Sequence, residues 1–311
     1  MIFVLYENEA WLPPLVAGLE AEELPHELWH VHHGQLDLAE APPEGIFLNR
    51  MSPSSHTRGH GESVDLTVEI LAWLEHHGRR VVNGSRAFAL EVSKARQALA
   101  LQRHGIRTPR TFLAVGRDKA LEAAAKLPAP FITKHNQGGK GLGIVLLESV
   151  DQLAAQLDAG AIDPGPKGQL LLQQYVEPAE GYITRVELLA GRFLYAMRSD
   201  TSEGFQLCPA DACEVPAAAP EVCPAEAPRD KFTLAPMKAD DPLVDPYLKL
   251  CAAEGIELAG IEFVQGHDGE RYTYDINATT NYNPAVGEAA GVDGMRELAK
   301  YLRHLTAGSP A

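Results

Sequence analysis

Cysteine is scarce in this sequence, with four residues among 311. So few thiols favour a reduced, cytoplasmic protein over one that disulfides hold together. No run of 18 or more apolar residues occurs, so no transmembrane helix is expected. The first residues, MIFVLYENEA, lack the basic region and the small-residue cleavage site of a secretory signal, which again favours a cytoplasmic location.

Positive charge is also low, because 27 lysines and arginines face 42 acidic residues and leave a formal net charge of −15. A field of that sign repels phosphate backbones, so a nucleic-acid partner is not expected. A membrane partner is not expected either, and a homo-oligomer stays open. An anionic small ligand would need cations gathered at its site, or a metal ion, and these are the features to look for.

The order of apolar patterns predicts an α/β protein of three packed units. Strands and helices alternate over roughly the first 85 residues, which predicts a parallel sheet flanked by helices. A short central unit of helices and strands follows, and the pattern becomes strand-rich from about residue 180. We place the units at 1–88, 89–176 and 177–311, with a proline-rich, irregular insert at 201–242.

A glycine-rich segment lies between two predicted strands, in the sequence PFITKHNQGGKGLGIVLLES at 130–149. Its glycines allow backbone amides to approach an anion, because no Cβ intervenes and positive φ is accessible; they are Gly138, Gly139, Gly141 and Gly143. The segment matches neither G-x-x-x-x-G-K-[ST] nor G-x-G-x-x-G, since Ile144 stands where the last glycine belongs. A mobile surface hairpin explains the same glycines, so the segment alone decides nothing.

Three oxygen-bearing side chains lie near the end of the chain. Glu262 falls on one predicted strand, and Asp275 and Asn277 fall on the next, two residues apart and therefore on one face. Two carboxylates and an amide oxygen suit Mg²⁺, which keeps waters and shares phosphate oxygens. A solvated polar face is the alternative, although the apolar neighbours of Ile276 indicate a half-buried strand.

Five cations accompany these two features: Lys94, Lys134, Lys140, Arg185 and Arg198. Lys134 ends a strand that is expected to be buried, where a lysine is unusual unless it is paired. Any one of the five is explained as a solvated surface charge. Beside a glycine-rich segment and a carboxylate pair, however, the set indicates a triphosphate bound with magnesium.

At this point the chain resembles the ATP-grasp superfamily, and within it the RimK-type amino-acid ligases and their glutathione-synthetase-like relatives. The resemblance covers nearly the whole chain and rests on the order of several segments: FLNRMSPSS, VVNGSRAFALEVSKARQALALQRHGIRTPRTF, PFITK with the glycine-rich segment, LLQQYV, GIEF and DIN. It implies an ATP-grasp fold: an N-terminal parallel-sheet (pre-ATP-grasp) domain, a small central α+β domain and a C-terminal antiparallel-sheet α+β domain.

The resemblance also implies roles for particular residues. Lys94 and Lys134 would contact the α- and β-phosphates, and the segment 138–143 with Lys140 would close over the triphosphate. Glu262, Asp275 and Asn277 would hold two Mg²⁺ ions, with Mn²⁺ as an alternative. The adenine edge would meet the linker Gln173, Gln174, Tyr175 and Val176.

The reacting end of the site is also implied by the resemblance. Arg198, and less directly Arg185, would stabilise the transferring phosphoryl group. The acceptor would lie against Arg50, Arg198, Asn281 and the insert.

The chain departs from the family pattern at several places. Ser93 stands where the family has an aspartate, and Gln174 where the linker is usually acidic. The acidic metal ligands follow the order Glu262 then Asp275, whereas Asp then Glu is commoner. The insert occupies a region where relatives carry substrate-contacting residues, so it puts the identity of the substrate in doubt.

Two groups of potential metal ligands remain. The insert holds Cys208, Cys213 and Cys223, whose spacing does not form paired zinc knuckles, so ordinary thiols are favoured over zinc. His30, His32 and His33 have no acidic or thiol partner nearby in sequence, which favours a cluster at a strand end without a metal.

The expected function is ATP-dependent ligation of a carboxylate to an amine through an acyl phosphate. The substrates would be ATP with an amino acid, such as glutamate, and a small-molecule, peptide or protein acceptor. Two alternatives stay open: a kinase-like phosphotransferase that releases its phosphorylated product, and a nucleotide-binding regulator without ligase activity.

Overall fold

The structure, a computed structural model, describes residues 1–139, 141, 143–201 and 231–307. Three sheets succeed one another along the chain, in the order that the sequence predicts. Across the described ranges, every helix is too short or too polar to span a bilayer.

Sheet A is parallel and lies in the N-terminal part, with strand order β2-β1-β3-β4. Alternate residues of β1 point to opposite faces: Ile2 packs with helix α1, and Phe3 packs with helix α2. The predicted parallel sheet with helices on both faces is therefore confirmed. Its elements are β1 Ile2–Tyr6, α1 Pro13–Ala21, β2 His26–His30, β3 Ile46–Arg50, α2 Ser63–His76 and β4 Arg80–Val82.

Sheet B is antiparallel, with strand order β5-β8-β6-β7, and carries the glycine-rich segment. The segment connects β6 to β7, which pair with Thr133 opposite Val145. Two helices cover one face of this sheet. The elements of this part are β5 Thr111–Ala114, α5 Arg117–Ala124, β6 Phe131–His135, β7 Val145–Leu147, α6 Val150–Asp158 and β8 Leu170–Gln174.

Sheet C is antiparallel, with strand order β11-β10-β9-β12-β13. Its edge strand β11 falls inside the range 201–242, for which the sequence predicts limited regular structure; residues 202–230 lie outside the described part. Arg198 and its neighbours on β10 pair with β11. The elements are β9 Tyr182–Leu189, β10 Arg192–Asp200, β11 Phe232–Leu234, α7 Val244–Glu254, β12 Leu258–Gln265 and β13 Arg271–Asn277.

The remaining helices connect the three sheets: α3 Ser85–Glu91, α4 Lys94–Arg103, α8 Pro284–Ala290 and α9 Gly294–Ala307. Ser93 caps α4 by accepting a hydrogen bond from the Arg96 amide. The helix packs in the core of sheet C, where the Gln97 side chain bonds both the N–H and the C=O of Ile276. Helix α9 returns to sheet A, so the last helix of the chain shares a core with the first strand.

Candidate functional site

A cavity of about 410 Å³ is lined by residues of all three parts of the chain. Most of the residues that the sequence singled out line it, although they are spread over almost 190 positions. They are Lys94, Lys134, Gly138, Gly139, Gly141, Gln173, Gln174, Tyr175, Val176, Arg185, Glu262, Asp275, Asn277 and Asn281.

Two lysines reach this cavity from different elements. Lys94 is the first residue of α4, and its Nζ lies 2.5 Å from Asp275 Oδ1. Lys134 is on β6, is 4% exposed, and places its ammonium 5.5 Å from the centre of the Tyr274 ring. Burial, and then repulsion by Lys94, lower the pKa of Lys134 to about 7. A bound polyanion would relieve that repulsion.

The three oxygen-bearing residues face the two lysines. Glu262 and Asp275 are directly paired across β12 and β13, and their side chains therefore share one face. Burial opposes the ionisation of Asp275, but Lys94 and Lys134 outweigh it and lower its pKa. Burial raises the pKa of Glu262, although Arg185 opposes the shift.

The chemistry of this group fits a metal ion that phosphate oxygens help to bind. Asn277 donates through Nδ2 to Gly260 O and Glu262 Oε1, at 3.3 Å each, which leaves its carbonyl oxygen as an acceptor. The Lys94 ammonium lies beside Asp275, where a metal ion would also be attracted. Among the described residues no three His, Cys, Asp or Glu side chains are grouped to hold a metal ion. A Mg²⁺ ion here would therefore need water or phosphate oxygens as further ligands.

A β-bulge adds a residue that the sequence analysis missed. The register of β12 and β13 shifts after Glu262, so that Asp275 and Thr273 oppose consecutive residues and Tyr274 is the extra one. Tyr274 consequently lines the cavity together with Asp275. Its hydroxyl interacts with the Glu262 carboxylate; burial, and then this neighbouring charge, raise the pKa of Tyr274. No sequence pattern distinguishes this tyrosine from others on the strand.

Arg185 is held by two carboxylates. Its Nε donates to Glu187 at 2.7 Å and its Nη1 donates to Glu262 at 2.9 Å. Burial opposes its charge, but these two carboxylates raise its pKa. Glu187 is fully buried and also accepts a hydrogen bond from Thr280. The sequence analysis missed Glu187, which reads as an ordinary strand residue.

Arg198 does not line the cavity. It is paired with Thr184 on β9, whereas its neighbour Met197 is paired with Arg185, so Arg198 projects from the opposite face of sheet C. Its guanidinium lies 4.1 Å from the centre of the Tyr182 ring. Arg198 was expected at the reacting group, but it lies on the other face of sheet C. A shift of one position along a strand moves a side chain to the opposite face.

Arg50 is buried and lies beneath the cavity instead of lining it. Its guanidinium donates to the carbonyl of Thr280, at 2.7 Å, and to the side chain of Asn281. Burial lowers the pKa of Arg50 to about 10, so it stays charged at neutral pH. Asn281, in contrast, lines the cavity, and Arg50 reaches it through this contact.

Another part of the cavity wall is less polar and includes the linker Gln173 to Val176, which begins in β8. Ile132 is paired with Gln173 and with Leu146, and Val264 also lines the wall. Gln173 donates to Thr111 Oγ1 at 2.7 Å, while Gln174 accepts from the Arg110 amide at 3.2 Å. The cavity therefore has an apolar end at the linker and a charged end at Asp275.

Some of the expected residues are elsewhere. Gly143 lies next to the cavity wall, with a φ of 75°. Lys140 and the three cysteines of the insert, Cys208, Cys213 and Cys223, lie outside the described residues. The histidines at the end of β2 lie near an acidic residue in the fold, Glu7. The link is His60, which bonds the buried Glu7 at 2.5 Å and whose ring centre lies 3.6 Å from that of His32.

Comparison with known proteins identifies the fold. A RimK domain protein of the ATP-grasp type from Sphaerobacter thermophilus superposes with a TM-score of 0.67 at 17% identity, over 96% of this chain and 98% of that one. The D-alanyl-alanine synthetase A of Vibrio cholerae superposes with a TM-score of 0.65 at 16% identity, over 98% of each chain. The chain therefore has the ATP-grasp fold.

Residues 92–206 match the model of the RimK-like ATP-grasp domain. A probable alpha-L-glutamate ligase of Teredinibacter turnerae is 31% identical over 136 residues, which are 43% of this chain and 44% of that protein. The resemblance to RimK-type ATP-grasp proteins is confirmed by these matches. The chain spans about half the length of the curated relatives it matches, 44% of this ligase and 55% of the beta-citrylglutamate synthase B of Danio rerio, which is 24% identical over 78% of this chain.

Proposed function

We propose that this protein is an ATP-dependent carboxylate–amine ligase. One observation carries the proposal: Lys94 and Lys134 meet Glu262, Asp275 and Asn277 in a single cavity, where Lys94 is paired with Asp275. Cations next to hard oxygen ligands suit a nucleoside triphosphate bound with a divalent ion. The apolar linker end of the cavity suits the adenine base.

The residues of this chain would divide the work as follows. Lys94 and Lys134 would bind phosphate oxygens, and the glycines at 138–141 would offer backbone amides to them. Glu262, Asp275 and Asn277 would hold Mg²⁺, with two ions expected and Mn²⁺ as a substitute. Such an ion, when bound, neutralises charge on phosphate oxygens.

Arg185 is suited to stabilise the phosphoryl group in transfer. It lines the cavity and its guanidinium is fixed by Glu187 and Glu262, so little reorganisation is needed when charge develops beside it. Arg198, on the opposite face of sheet C, has no part in the proposal. Arg50 would act indirectly, by holding Asn281 in the wall of the acceptor end.

The chemistry explains why ATP is needed. A carboxylate is a poor electrophile, because an amine cannot displace its oxide. Transfer of the γ-phosphoryl group to the carboxylate oxygen releases ADP and gives an acyl phosphate. Attack of an amine on the acyl carbon then forms the amide and expels phosphate, and a closed site keeps water from competing.

The substrate class follows from the relatives. Several are named probable alpha-L-glutamate ligases, and one solved neighbour, the ATP-grasp ligase PsnB, is complexed with a precursor peptide. We therefore propose an amino acid, with glutamate first, as one partner and a small molecule, peptide or protein end as the other.

One assay tests this proposal. The protein is incubated with ATP, Mg²⁺ and pooled amino acids, phosphate release is followed, and condensed products are sought by mass. Amine-dependent phosphate release with a product lighter by one water than its two substrates is expected. Phosphate or phosphoester formation that never depends on an amine would instead indicate a phosphotransferase. Nucleotide binding without turnover in any acceptor mixture would indicate a regulator.

A further inference from the structure

His135 is the last residue of β6, directly after Lys134, and it lines the cavity. Its side chain is 9% exposed. Within the described ranges its Nε2 has no hydrogen-bond partner, and the Asp163 Oδ2 atom lies 3.8 Å from it. A buried ring nitrogen without a hydrogen bond needs another explanation, because unpaired buried polar atoms are rare.

Two glycines from separate segments close on this ring. A Cβ at Gly143 would lie 2.6 Å from His135 Nε2, and a Cβ at Gly165 would lie 2.9 Å from His135 Cγ. A Cβ at Gly138 would come within 3.5 Å of His135 Cβ. The imidazole therefore fills the space between the glycine-rich segment and the loop 163–168. Both contacts are closer than any residue other than glycine permits.

The backbone beside His135 is fixed independently of these glycines. Asn136 accepts the Lys94 amide at its carbonyl, at 2.9 Å, and the Ala95 amide at its Oδ1, also at 2.9 Å. Its own amide and side chain bond Gln169 at 3.2 and 2.7 Å. Because its neighbour is anchored on both sides, the ring of His135 has little freedom, and the glycines must adapt to it.

We propose that His135 is the positioning residue of the phosphate end of the cavity. Its ring, packed against Gly165 from behind, sets the distance of Gly138 and Gly143 from Lys134, and so places their amides where phosphate oxygens bind. This inference rests on the proposed nucleotide site. It assigns a role to an imidazole, and to the loop 163–168 behind it, that no motif in the sequence indicates.

The test compares two ligands that differ in their phosphates. ATP and adenosine binding are measured by calorimetry for the wild type, His135→Ala and His135→Phe. For His135→Ala we expect ATP to bind about tenfold more weakly, the scale of losing one or two backbone hydrogen bonds, while adenosine binds as before. His135→Phe keeps a ring of similar size and should keep the ATP affinity. A general loss of packing would weaken the binding of both ATP and adenosine, and that outcome would overturn the inference. An unchanged ATP affinity in His135→Ala, or an equal loss of ATP affinity in His135→Ala and His135→Phe, would overturn it as well.

A second experiment adds a methyl group next to the His135 ring, on the side of Gly165. Gly165→Ala and Gly168→Ala both place alanine at positive φ, 80° and 62°, but only the first meets His135, since a Cβ at Gly168 has nothing within 4 Å. We expect only Gly165→Ala to weaken ATP binding selectively, and expect it to have no such effect in the His135→Ala background. Equal effects of the two glycine variants would contradict the coupling.

Different results would overturn the proposed function and the role of His135. A wild-type protein that binds ATP no better than adenosine overturns the proposed function itself. A wild-type preference for ATP that survives both His135→Ala and Gly165→Ala overturns only the role of His135.

Discussion

Substitution of Asp275 by asparagine tests the charged end of the cavity most directly. The change keeps the shape of the side chain and removes one negative charge that lies 2.5 Å from Lys94 Nζ. The pKa of Asp275 is lowered in the folded protein, chiefly by Lys94 and Lys134 against the opposing effect of burial, so the ionised carboxylate stabilises the fold. Loss of this carboxylate should therefore lower the free energy of unfolding even without ligand.

The size of the effect follows from burial. The side chains of Lys94 and Asp275 are 13% and 16% exposed, so the pair is closer to a buried ion pair than to a surface one. Breaking such a pair costs about 3–5 kcal/mol, and the residual exposure favours the lower limit, about 3 kcal/mol. Asp275→Asn should also reduce Mg²⁺-dependent turnover by about a hundredfold, the scale of one preorganised electrostatic contact.

The measurements are urea unfolding without ligand and phosphate release as a function of Mg²⁺ concentration. Asp268→Asn is the matched control, because Asp268 lies in the exposed turn between the same two strands and accepts hydrogen bonds from its near neighbours Glu270 and Tyr272. We expect the control to retain wild-type turnover. If Asp275→Asn kept both its unfolding free energy and its Mg²⁺ dependence, Asp275 would not belong to a metal site, and the reasoning from this cavity would fail.

Three further predictions concern neighbouring residues. Tyr274→Phe, which loses only the hydroxyl that interacts with the proposed metal ligand Glu262, should weaken Mg²⁺-dependent nucleotide binding by about tenfold. Tyr272→Phe, which loses a hydroxyl that bonds the exposed Asp268, should leave this binding unchanged. Equal binding curves for the two variants would contradict the role of the bulge. Burial raises the pKa of Glu91 from 4.5 to about 7, so the folded state retains a proton that the unfolded state loses. The free energy of unfolding should therefore fall by up to about 3 kcal/mol as the pH rises from 4.5 to 7. Glu91→Gln should flatten this pH profile. Gly260→Ala should lower the free energy of unfolding by about 1–3 kcal/mol and reduce turnover, because its Cβ would lie 2.3 Å from the Arg185 guanidinium. An unchanged melting temperature would show that this guanidinium moves freely.

Local patterns were enough to predict sheet A and several side chains of the proposed site. Alternating strands and helices gave a parallel sheet A, and the two-residue spacing of Asp275 and Asn277 put both on one face, because strand periodicity is a local property. The glycine-rich segment is likewise visible in the sequence, since glycine alone tolerates positive φ without a Cβ. Whether these features met in one place was an expectation that required the resemblance.

The face of Arg198 and the placement of Tyr274 depended on tertiary structure. Arg198 differs from Met197 by one position, and only pairing with β9 decides which of them shares the sheet face of Arg185. Tyr274 reaches the cavity through a bulge, which is a property of two strands and not of one.

The sequence by itself determined which segments are strands and helices, and which residues carry the charges of this protein. Tertiary structure alone decided that Lys94 meets Asp275, 181 positions away, and that His135 lies between two glycines from different loops. The physical reason is that periodicity and turn chemistry act over a few residues, whereas a contact between distant residues depends on how buried surfaces pack together.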